Sequence, residues 1–157
     1  MFKVGFSKDM HRIFPLSKNG ILGGMNHQSF PKIMNAYSDG DVLLHSLCEA
    51  FLGAMGLEDL GTYYNSKTKP KDFSSLEIVN DILKLLEERN YNISNIDILI
   101  ELEKPNLKDI KPAIKNNIAK LFNINLDQVS IKATTTEKSN YEFISVFSNV
   151  LIYKGEK

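Results

Sequence analysis

Three side chains in the first third of the chain have the types and the spacing of a zinc site. Asp9 and His11 are two residues apart, so on an extended strand both side chains point to the same side and can reach one ion. His45 lies on a predicted helix and would supply a third ligand. One carboxylate and two imidazoles suit zinc with a fourth position open for substrate, as a Lewis-acid catalyst requires. A chance Asp-x-His pair and a packed helical histidine fit the same spacing, so both interpretations stay open.

Two further residues near this group have less definite roles. Asp41 lies four residues before His45, so it could steady that imidazole or simply cap the helix. His27 lies in a turn-rich region, and we interpret it as a surface residue without an obvious partner.

A second group of candidate residues is the segment Lys132–Lys138, with three consecutive threonines at the end of a predicted strand. Hydroxyl groups, backbone N–H groups and a cation could hold phosphate oxygens there. Glu137 could bind a hard divalent ion that bridges two phosphates. The alternative is a threonine-rich strand end followed by a solvated charge pair.

The elements that must position these groups follow from hydrophobic periodicity and capping patterns. We expect turns and short strands over residues 12–37 and an exposed loop over 58–73. This mixture predicts one α+β domain over residues 1–157, with a single sheet and helices on one face. The predicted strands cover residues 2–8, 96–102, 129–135 and 143–153, and the helices run from the Ser38 cap to about Met55, from Ser74 or Ser75 to about Arg89, and over about 108–122.

The composition excludes several classes of protein. Acidic and basic residues balance at 19 each in a chain of 157, and the scarcity of arginine disfavours nucleic-acid binding. Cys48 is the single cysteine, which rules out internal disulfides and a Cys-rich zinc site. No apolar run approaches the roughly 20 residues of a membrane span. We therefore expect a cytoplasmic protein, or one of an organelle stroma if a transit peptide has been removed.

Several blocks of the sequence occur together in the order of one known family. Taken jointly, they resemble the 2-C-methyl-D-erythritol 2,4-cyclodiphosphate synthase family over nearly the whole chain. The blocks are Asp9-x-His11, Ser38–Asp41 followed by His45, Asp59–Gly61, Ala133–Lys138, Ile21–Gly24 and Glu103–Pro105.

This resemblance implies an activity and a set of site residues. Family members cyclise 4-diphosphocytidyl-2-C-methyl-D-erythritol 2-phosphate and release CMP, as homotrimers with sites between subunits. Asp9, His11 and His45 would hold zinc, and Glu137 would hold magnesium or manganese. Thr135 would lie beside the transition state. The implied substrate-binding residues are Ser38, Asp59, Leu60, Gly61, Tyr64, Ser66, Leu102, Glu103, Lys104, Pro105, Asn106, Leu107, Lys108, Thr134 and Thr136.

The sequence departs from the family pattern at four places. Tyr37 replaces a histidine thought to assist the transition state, and it is the second catalytic candidate because tyrosine can still donate a hydrogen bond. The acids of the family's F-P-D-x-D loop are absent from residues 64–68, and Asn106 replaces a lysine. The short segment 139–143 lacks an arginine expected near the phosphates.

These departures leave two alternatives beside a retained cyclase. One is a non-catalytic paralogue that keeps zinc and binds a cytidine nucleotide. The other is a zinc-dependent phosphoryl-transfer enzyme that uses a different nucleotide.

Overall fold

A computed structural model describes residues 1–155 and confirms the α+β prediction. One five-stranded sheet carries the helices on one face, in the strand order β4-β1-β7-β5-β6, and a separate hairpin joins β2 to β3. The strands are β1 (Phe2–Phe14), β2 (Gly20–Leu22), β3 (Met25–His27), β4 (Lys32–Ile33), β5 (Tyr91–Glu101), β6 (Val129–Thr134) and β7 (Phe143–Lys154). The helices are α1 (Val42–Ala54), α2 (Leu60–Tyr63), α3 (Ser75–Glu88) and α4 (Lys111–Leu121), with a 3-10 turn at Leu126–Gln128.

Two strands are longer than their local sequence pattern predicts. The first strand continues past residue 8 to Phe14, and β5 begins at Tyr91 rather than at residue 96. Both extensions pair antiparallel with the long strand β7. Non-local pairing of this kind provides backbone hydrogen-bond partners for residues in which apolar and polar side chains alternate only weakly.

The first helix begins later than predicted. Asp41, not Ser38, is its N-cap, and the Asp41 side chain accepts a hydrogen bond from the Leu44 N–H. A serine followed three residues later by an acid allows either residue to cap. Here Asp41 also accepts from the Gly23 and Gly24 N–H groups, so contacts from the β2–β3 turn favour Asp41. Within residues 58–73, predicted to be a loop, the four-residue helix α2 forms behind an Asp59 cap.

Helix α1 packs directly on β1 and β7, which places its residues at the centre of the fold. Its predicted apolar face is buried: Leu44, Leu47, Cys48, Phe51 and Met55 are at most 4% exposed. At Gly5 of β1 the approach is so close that a Cβ atom would lie 1.8 Å from the Ala50 carbonyl oxygen. The register between α1 and β1, and hence between His45 and Asp9, is set by backbone contact.

Candidate active site

The structure brings the three predicted zinc ligands together on one side of the sheet. Asp9 and His11 project from β1, and His45 projects from the first turns of α1. The Asp9 Oδ2 atom lies 3.3 Å from His11 Nε2 and 3.9 Å from His45 Nδ1. Within residues 1–155 this is the group of three acidic, histidine or cysteine side chains whose ligand atoms converge within 4.8 Å.

These distances fit a tetrahedral zinc ion. With bonds of about 2.0–2.2 Å, ligand atoms on a tetrahedral zinc are separated by roughly 3.3–3.6 Å. The 3.3 Å separation of Asp9 Oδ2 from His11 Nε2 lies in this range, and the 3.9 Å separation from His45 Nδ1 exceeds it by a few tenths of an ångström. The donor set, one carboxylate and two imidazoles, leaves a fourth position for a further ligand.

The two histidines have opposite pKa shifts. The hydrogen bond with the Asp9 carboxylate raises the pKa of His11, because it favours the protonated ring. Burial lowers the pKa of His45, because a charged imidazole is costly away from water. His45 is therefore held as the neutral ring that a metal ligand must be.

The neighbours of His45 differ from the sequence-based interpretation. The Asp41 side chain does not steady the imidazole; all its hydrogen bonds go to the backbone of residues 23, 24 and 44. The His45 Nε2 atom instead lies 2.9 Å from Ser75 Oγ and 3.1 Å from Ser38 Oγ. Burial raises the pKa of the Asp41 carboxyl to about 6, consistent with a structural group surrounded by apolar side chains.

A cavity of about 220 Å³ opens beside the two histidines. Five of the predicted site residues line it, together with Phe73 and Ile78 from the start of α3. The five are Tyr37, Ser38, Leu60, Gly61 and Tyr64. Segments that are distant in sequence therefore converge next to the candidate metal ligands.

Three predicted residues around this cavity have other contacts. The Tyr37 hydroxyl donates to the Lys69 carbonyl at 2.8 Å, which ties it to the following loop. Asp59 caps α2 by accepting from the Thr62 N–H and hydroxyl groups. Ser66 is exposed and lies outside the residues that line the cavity.

The predicted nucleotide segment lines a second, larger cavity of about 840 Å³. Residues 103–106 form one wall, and residues from the ends of β1 and of the β2–β3 hairpin form the other. The side chains of Leu102 and Leu107 are 4% and 3% exposed and pack in the core, so it is the backbone of these two residues that is left to line the predicted cytidine pocket. Lys108 is exposed, and its N–H donates to the Asn106 side chain.

Glu103 holds the threonine-rich loop. Its Oε2 atom accepts hydrogen bonds from the Thr136 hydroxyl at 2.6 Å, the Thr136 N–H at 2.9 Å and the Lys138 N–H at 3.1 Å. The Thr136 hydroxyl bond is the main reason that the pKa of Glu103 is lowered. The loop adopts a rare backbone shape, with φ values of 53° at Glu137 and 64° at Lys138. Such a conformation persists when surrounding contacts determine it.

Thr135 and Glu137 occupy the tip of this loop. The Thr135 hydroxyl lies 3.4 Å from a Glu137 carboxylate oxygen and accepts from the Glu137 N–H at 3.3 Å. Thr134 precedes them at the end of β6, with its hydroxyl 3.3 Å from the Thr135 carbonyl oxygen. Both Thr135 and Glu137 are accessible to a ligand.

Within one chain, the histidine group and the Glu137 loop are far apart. Asp9 pairs with Val146, Val146 with Ile100 and Ile100 with Ala133. Asp9 and Ala133 thus lie at the same height on the sheet but three strand spacings apart, about 14 Å, and Glu137 follows beyond the end of β6. One diphosphate group cannot span that distance.

His27 is half-buried in the turn-rich region, and the expectation that it has no partner is wrong. Its Nδ1 atom accepts from the Ser29 N–H at 3.1 Å, and its ring lies 5.4 Å from that of Phe30. These contacts give it a structural role in the turn after β3.

Two contributors to the site went unrecognised in the sequence. Ser75 was expected only near a helix cap, and its contact with His45 joins residues 30 positions apart. Asp39 was taken as part of the helix start, yet it accepts from both the Ser75 N–H and the Ser75 hydroxyl. No local pattern predicts either contact.

The comparisons with known proteins agree with this arrangement. The chain belongs to the YgbB family, whose sequence profile it matches over residues 2–153. A 2-C-methyl-D-erythritol 2,4-cyclodiphosphate synthase of Caldicellulosiruptor bescii is 41% identical over 97% of this chain and 99% of that protein. A protein of the same name from Parabacteroides distasonis is 34% identical over 97% and 96% of the two chains.

Solved structures show the same fold. The chain superposes on the IspF–CDP complex of Plasmodium falciparum with a TM-score of 0.85, 28% identity and coverage of 99% and 97%. For the bifunctional IspDF of Campylobacter jejuni the TM-score is 0.89 and the identity 33%, over 99% of this chain and 43% of that one. Among residues 1–155, no helix has both the length and the apolarity needed to cross a membrane.

Proposed function

We propose that this chain converts 4-diphosphocytidyl-2-C-methyl-D-erythritol 2-phosphate to 2-C-methyl-D-erythritol 2,4-cyclodiphosphate and CMP. It would act as a divalent-metal-dependent phosphorus–oxygen lyase. The observation that carries the proposal is the Asp9–His11–His45 group, whose ligand atoms converge within 4.8 Å beside a cavity lined by Ser38, Leu60 and Gly61 of the family motifs. Relatives that carry the synthase name share up to 41% of their residues with this chain.

The chemistry needs positioning and charge neutralisation more than a strong base. A 2-phosphate oxygen forms a bond to the β-phosphorus, and the bond from that phosphorus to the oxygen shared with the α-phosphate breaks. The electron pair leaves with CMP. Negative charge accumulates on the β-phosphate. The attack is intramolecular because one substrate molecule carries both groups, so the site has to hold the 2-phosphate and the diphosphate in the reacting geometry.

The residues divide this work between two ends of the substrate. Asp9, His11 and His45 would hold zinc, and Glu137 magnesium or manganese. Bound there, the cations would polarise phosphate oxygens as Lewis acids. Thr135 would donate a hydrogen bond near the β-phosphate, and the Asp59–Gly61 segment would bind the diol.

The cytidine end would occupy the larger cavity. Its wall at residues 103–106 offers backbone groups and the Lys104 and Asn106 side chains. Glu103, which belongs to this wall, accepts a hydrogen bond from the Thr136 hydroxyl. The threonine-rich segment with Thr134 and Thr136 therefore lies next to the cavity. A cytosine edge has both donors and acceptors, so backbone and amide groups can read it without an arginine.

A homotrimer would complete the site. One diphosphate group that meets both cation sites would need a second chain, because within one chain the strand positions of Asp9 and Ala133 lie about 14 Å apart. The outer face of β1 offers a surface for assembly: Phe2, Val4 and Phe6 are 62–68% exposed and alternate along the strand. Contiguous apolar surface of this kind favours association.

The experiment that tests the proposal measures CMP release with zinc and magnesium present, for the wild type and for His45→Ala. We expect metal-dependent CMP together with a cyclic diphosphate, and a loss of at least about 100-fold in the variant, since one zinc ligand is removed. Lys84→Ala, at an exposed lysine of α3 outside the predicted site, serves as the folded control. If zinc-loaded, folded wild type releases no CMP, the cyclase proposal is wrong.

A nucleotide-binding paralogue without turnover is the second candidate. The observation that favours it is the Tyr37 hydroxyl, whose proton is directed to the Lys69 carbonyl rather than to the cavity. This candidate predicts that CDP binds to the zinc-loaded protein while CMP release stays at the uncatalysed rate. A phosphoryl-transfer enzyme for another nucleotide would instead release product from a different diphosphate.

A further inference from the structure

We infer that Asp39 and Ser75 are positioning residues that fix the proton of the His45 ring on Nε2 and so present Nδ1 as the metal-binding atom. The inference rests on the zinc site of the proposed function, and its first test needs no metal. It concerns hydrogen-bond direction along a buried chain of three side chains from three segments.

The chain starts at the Asp39 carboxylate, which can only accept hydrogen bonds. Its Oδ2 atom accepts from the Ser75 N–H at 2.8 Å, and its Oδ1 atom accepts from the Asp41 N–H at 3.2 Å. The Ser75 hydroxyl also donates to Oδ1. A hydroxyl has one proton, so Ser75 has no proton left to donate to His45.

The histidine must therefore donate to Ser75. The Ser75 Oγ atom lies 2.9 Å from His45 Nε2 and offers a lone pair. Ser38 Oγ lies 3.1 Å from the same nitrogen, and it accepts from the Gly40 N–H at 3.2 Å. Ser75 therefore fixes the direction of hydrogen bonding at Nε2, whereas the Ser38 hydroxyl keeps its own proton and can accept there as well. Both serines are at most 5% exposed. Water cannot easily replace these partners.

The other ring nitrogen faces the metal ligands. With the proton on Nε2, the neutral ring has its lone pair on Nδ1. The Nδ1 atom lies 3.9 Å from Asp9 Oδ2. A partner that holds the far nitrogen of a ligating histidine fixes both its tautomer and its orientation. Here that partner is the first residue of α3, 30 positions beyond His45.

The first test measures the tautomer directly. Metal-free protein labelled with ¹⁵N, at mildly alkaline pH, gives separate ring-nitrogen signals for His45 in a two-bond ¹H–¹⁵N correlation spectrum. We expect a protonated Nε2 and an unprotonated Nδ1. A His45 ring with its proton on Nδ1 would overturn the inference whatever the metal affinity is.

The second test removes the acceptor. In Ser75→Ala the Asp39 contact to the backbone N–H is kept, but the oxygen beside Nε2 is lost. We expect zinc affinity, measured by chelator competition, to fall about 10- to 100-fold. We also expect an increased Nδ1–H signal for the His45 ring in the metal-free variant.

Ser74→Ala is the matched control. Ser74 caps the same helix through the Leu76 N–H and lies outside the chain to His45. Its loss is expected to cost about 1 kcal/mol of folding stability while zinc affinity and the His45 tautomer stay unchanged. Equal zinc affinity in Ser75→Ala and the wild type would overturn the inference.

The two proposals fail in distinguishable ways. A wild type with the expected tautomer that binds no zinc contradicts the proposed function alone. A wild type that binds zinc and releases CMP with its His45 proton on Nδ1 contradicts this inference alone.

Discussion

At the scale of single residues, Glu103 links the nucleotide segment to the loop that carries Thr135 and Glu137. One of its oxygen atoms accepts three hydrogen bonds from residues 136 and 138. A side chain expected to touch cytidine thus holds the backbone of the loop that carries Thr135 and Glu137.

We predict a graded response to substitution of Glu103. Glu103→Gln keeps an oxygen that can occupy the shared acceptor position, so kcat/KM should fall less than about tenfold. Glu103→Ala releases the loop, and a displacement of about 1 Å at the reacting groups can cost roughly 100-fold. Steady-state CMP release measures both, with Asp109→Asn as an exposed control. Equal losses in the Gln and Ala variants would contradict a positional role.

The same contact should depend on pH. Hydrogen bonds from Thr136 and Lys138 favour the ionised carboxylate and lower the pKa of Glu103 below its ordinary value of 4.5. The hydrogen bonds from the loop to the ionised Glu103 carboxylate are therefore fully formed above pH 4.5. They are lost as the pH falls through the lowered pKa of Glu103. The amide chemical shifts of Thr136 and Lys138 should report a midpoint below 4.5. A midpoint above it would contradict the assignment.

At the scale of elements, the packing of α1 against β1 determines the relative positions of the metal ligands. His45 belongs to the helix, Asp9 belongs to the strand, and the two elements touch through backbone at Gly5. Buried Ser46 adds hydrogen bonds to the Val146 carbonyl and the Ser148 hydroxyl of β7. Little freedom remains for the helix to slide.

We predict that Gly5→Ala weakens zinc binding without touching a ligand. The new Cβ would lie 1.8 Å from the Ala50 oxygen and 2.9 Å from the Ala54 nitrogen, so α1 must move away from the strand. Overpacking of this kind typically costs about 1–3 kcal/mol or more in the free energy of unfolding. Denaturant unfolding and chelator competition should both report the change.

Gly53→Ala is the control for that substitution. Gly53 lies in the same helix, and a Cβ there meets nothing within 4 Å. We expect this variant to gain about 0.5–1 kcal/mol, because alanine replaces glycine inside a helix, and to keep its zinc affinity. If Gly5→Ala binds zinc as tightly as Gly53→Ala, the packing of α1 against β1 does not determine the zinc affinity.

Local patterns predict some parts of this site and miss others for identifiable reasons. The two-residue spacing of Asp9 and His11 and the periodic apolar face of α1 are local, and the structure confirms the convergence with His45. The extension of β1 to Phe14 depends on β7, at the other end of the chain. The contact of Ser75 with His45 likewise requires α3 to fold onto α1, and no spacing rule contains it.

At the scale of the whole molecule, the outer face of the sheet exposes large apolar side chains to solvent. Phe2, Val4 and Phe6 project from it, and Phe2 packs at 5.9 Å from the exposed Tyr153 ring of β7. The opposite face is covered by the helices. A single chain therefore exposes an apolar patch, formed by Phe2, Val4, Phe6 and Tyr153, at one end of this sheet face.

We predict that this apolar patch is buried between the subunits of a homotrimer. Sedimentation of the wild type should give a mass near three times the chain mass of 17.8 kDa. Phe6→Glu places a charge on the face and should yield monomers, with CMP release lost and zinc still bound by the intact ligands. Lys3→Glu, whose side chain lies on the other side of the strand alternation, is the control. A wild type that sediments as a monomer would contradict the prediction.

The separation between Asp9 and the Glu137 loop has a genetic consequence. In a trimer of the proposed kind, each site takes its histidine group from one chain and its Glu137 from the next. A copy disabled at His45 and a copy disabled at Glu137 then share mixed trimers in which one interface joins two undamaged halves. Two null alleles of this protein would complement each other in the same cell, whereas two alleles damaged at the same half would not.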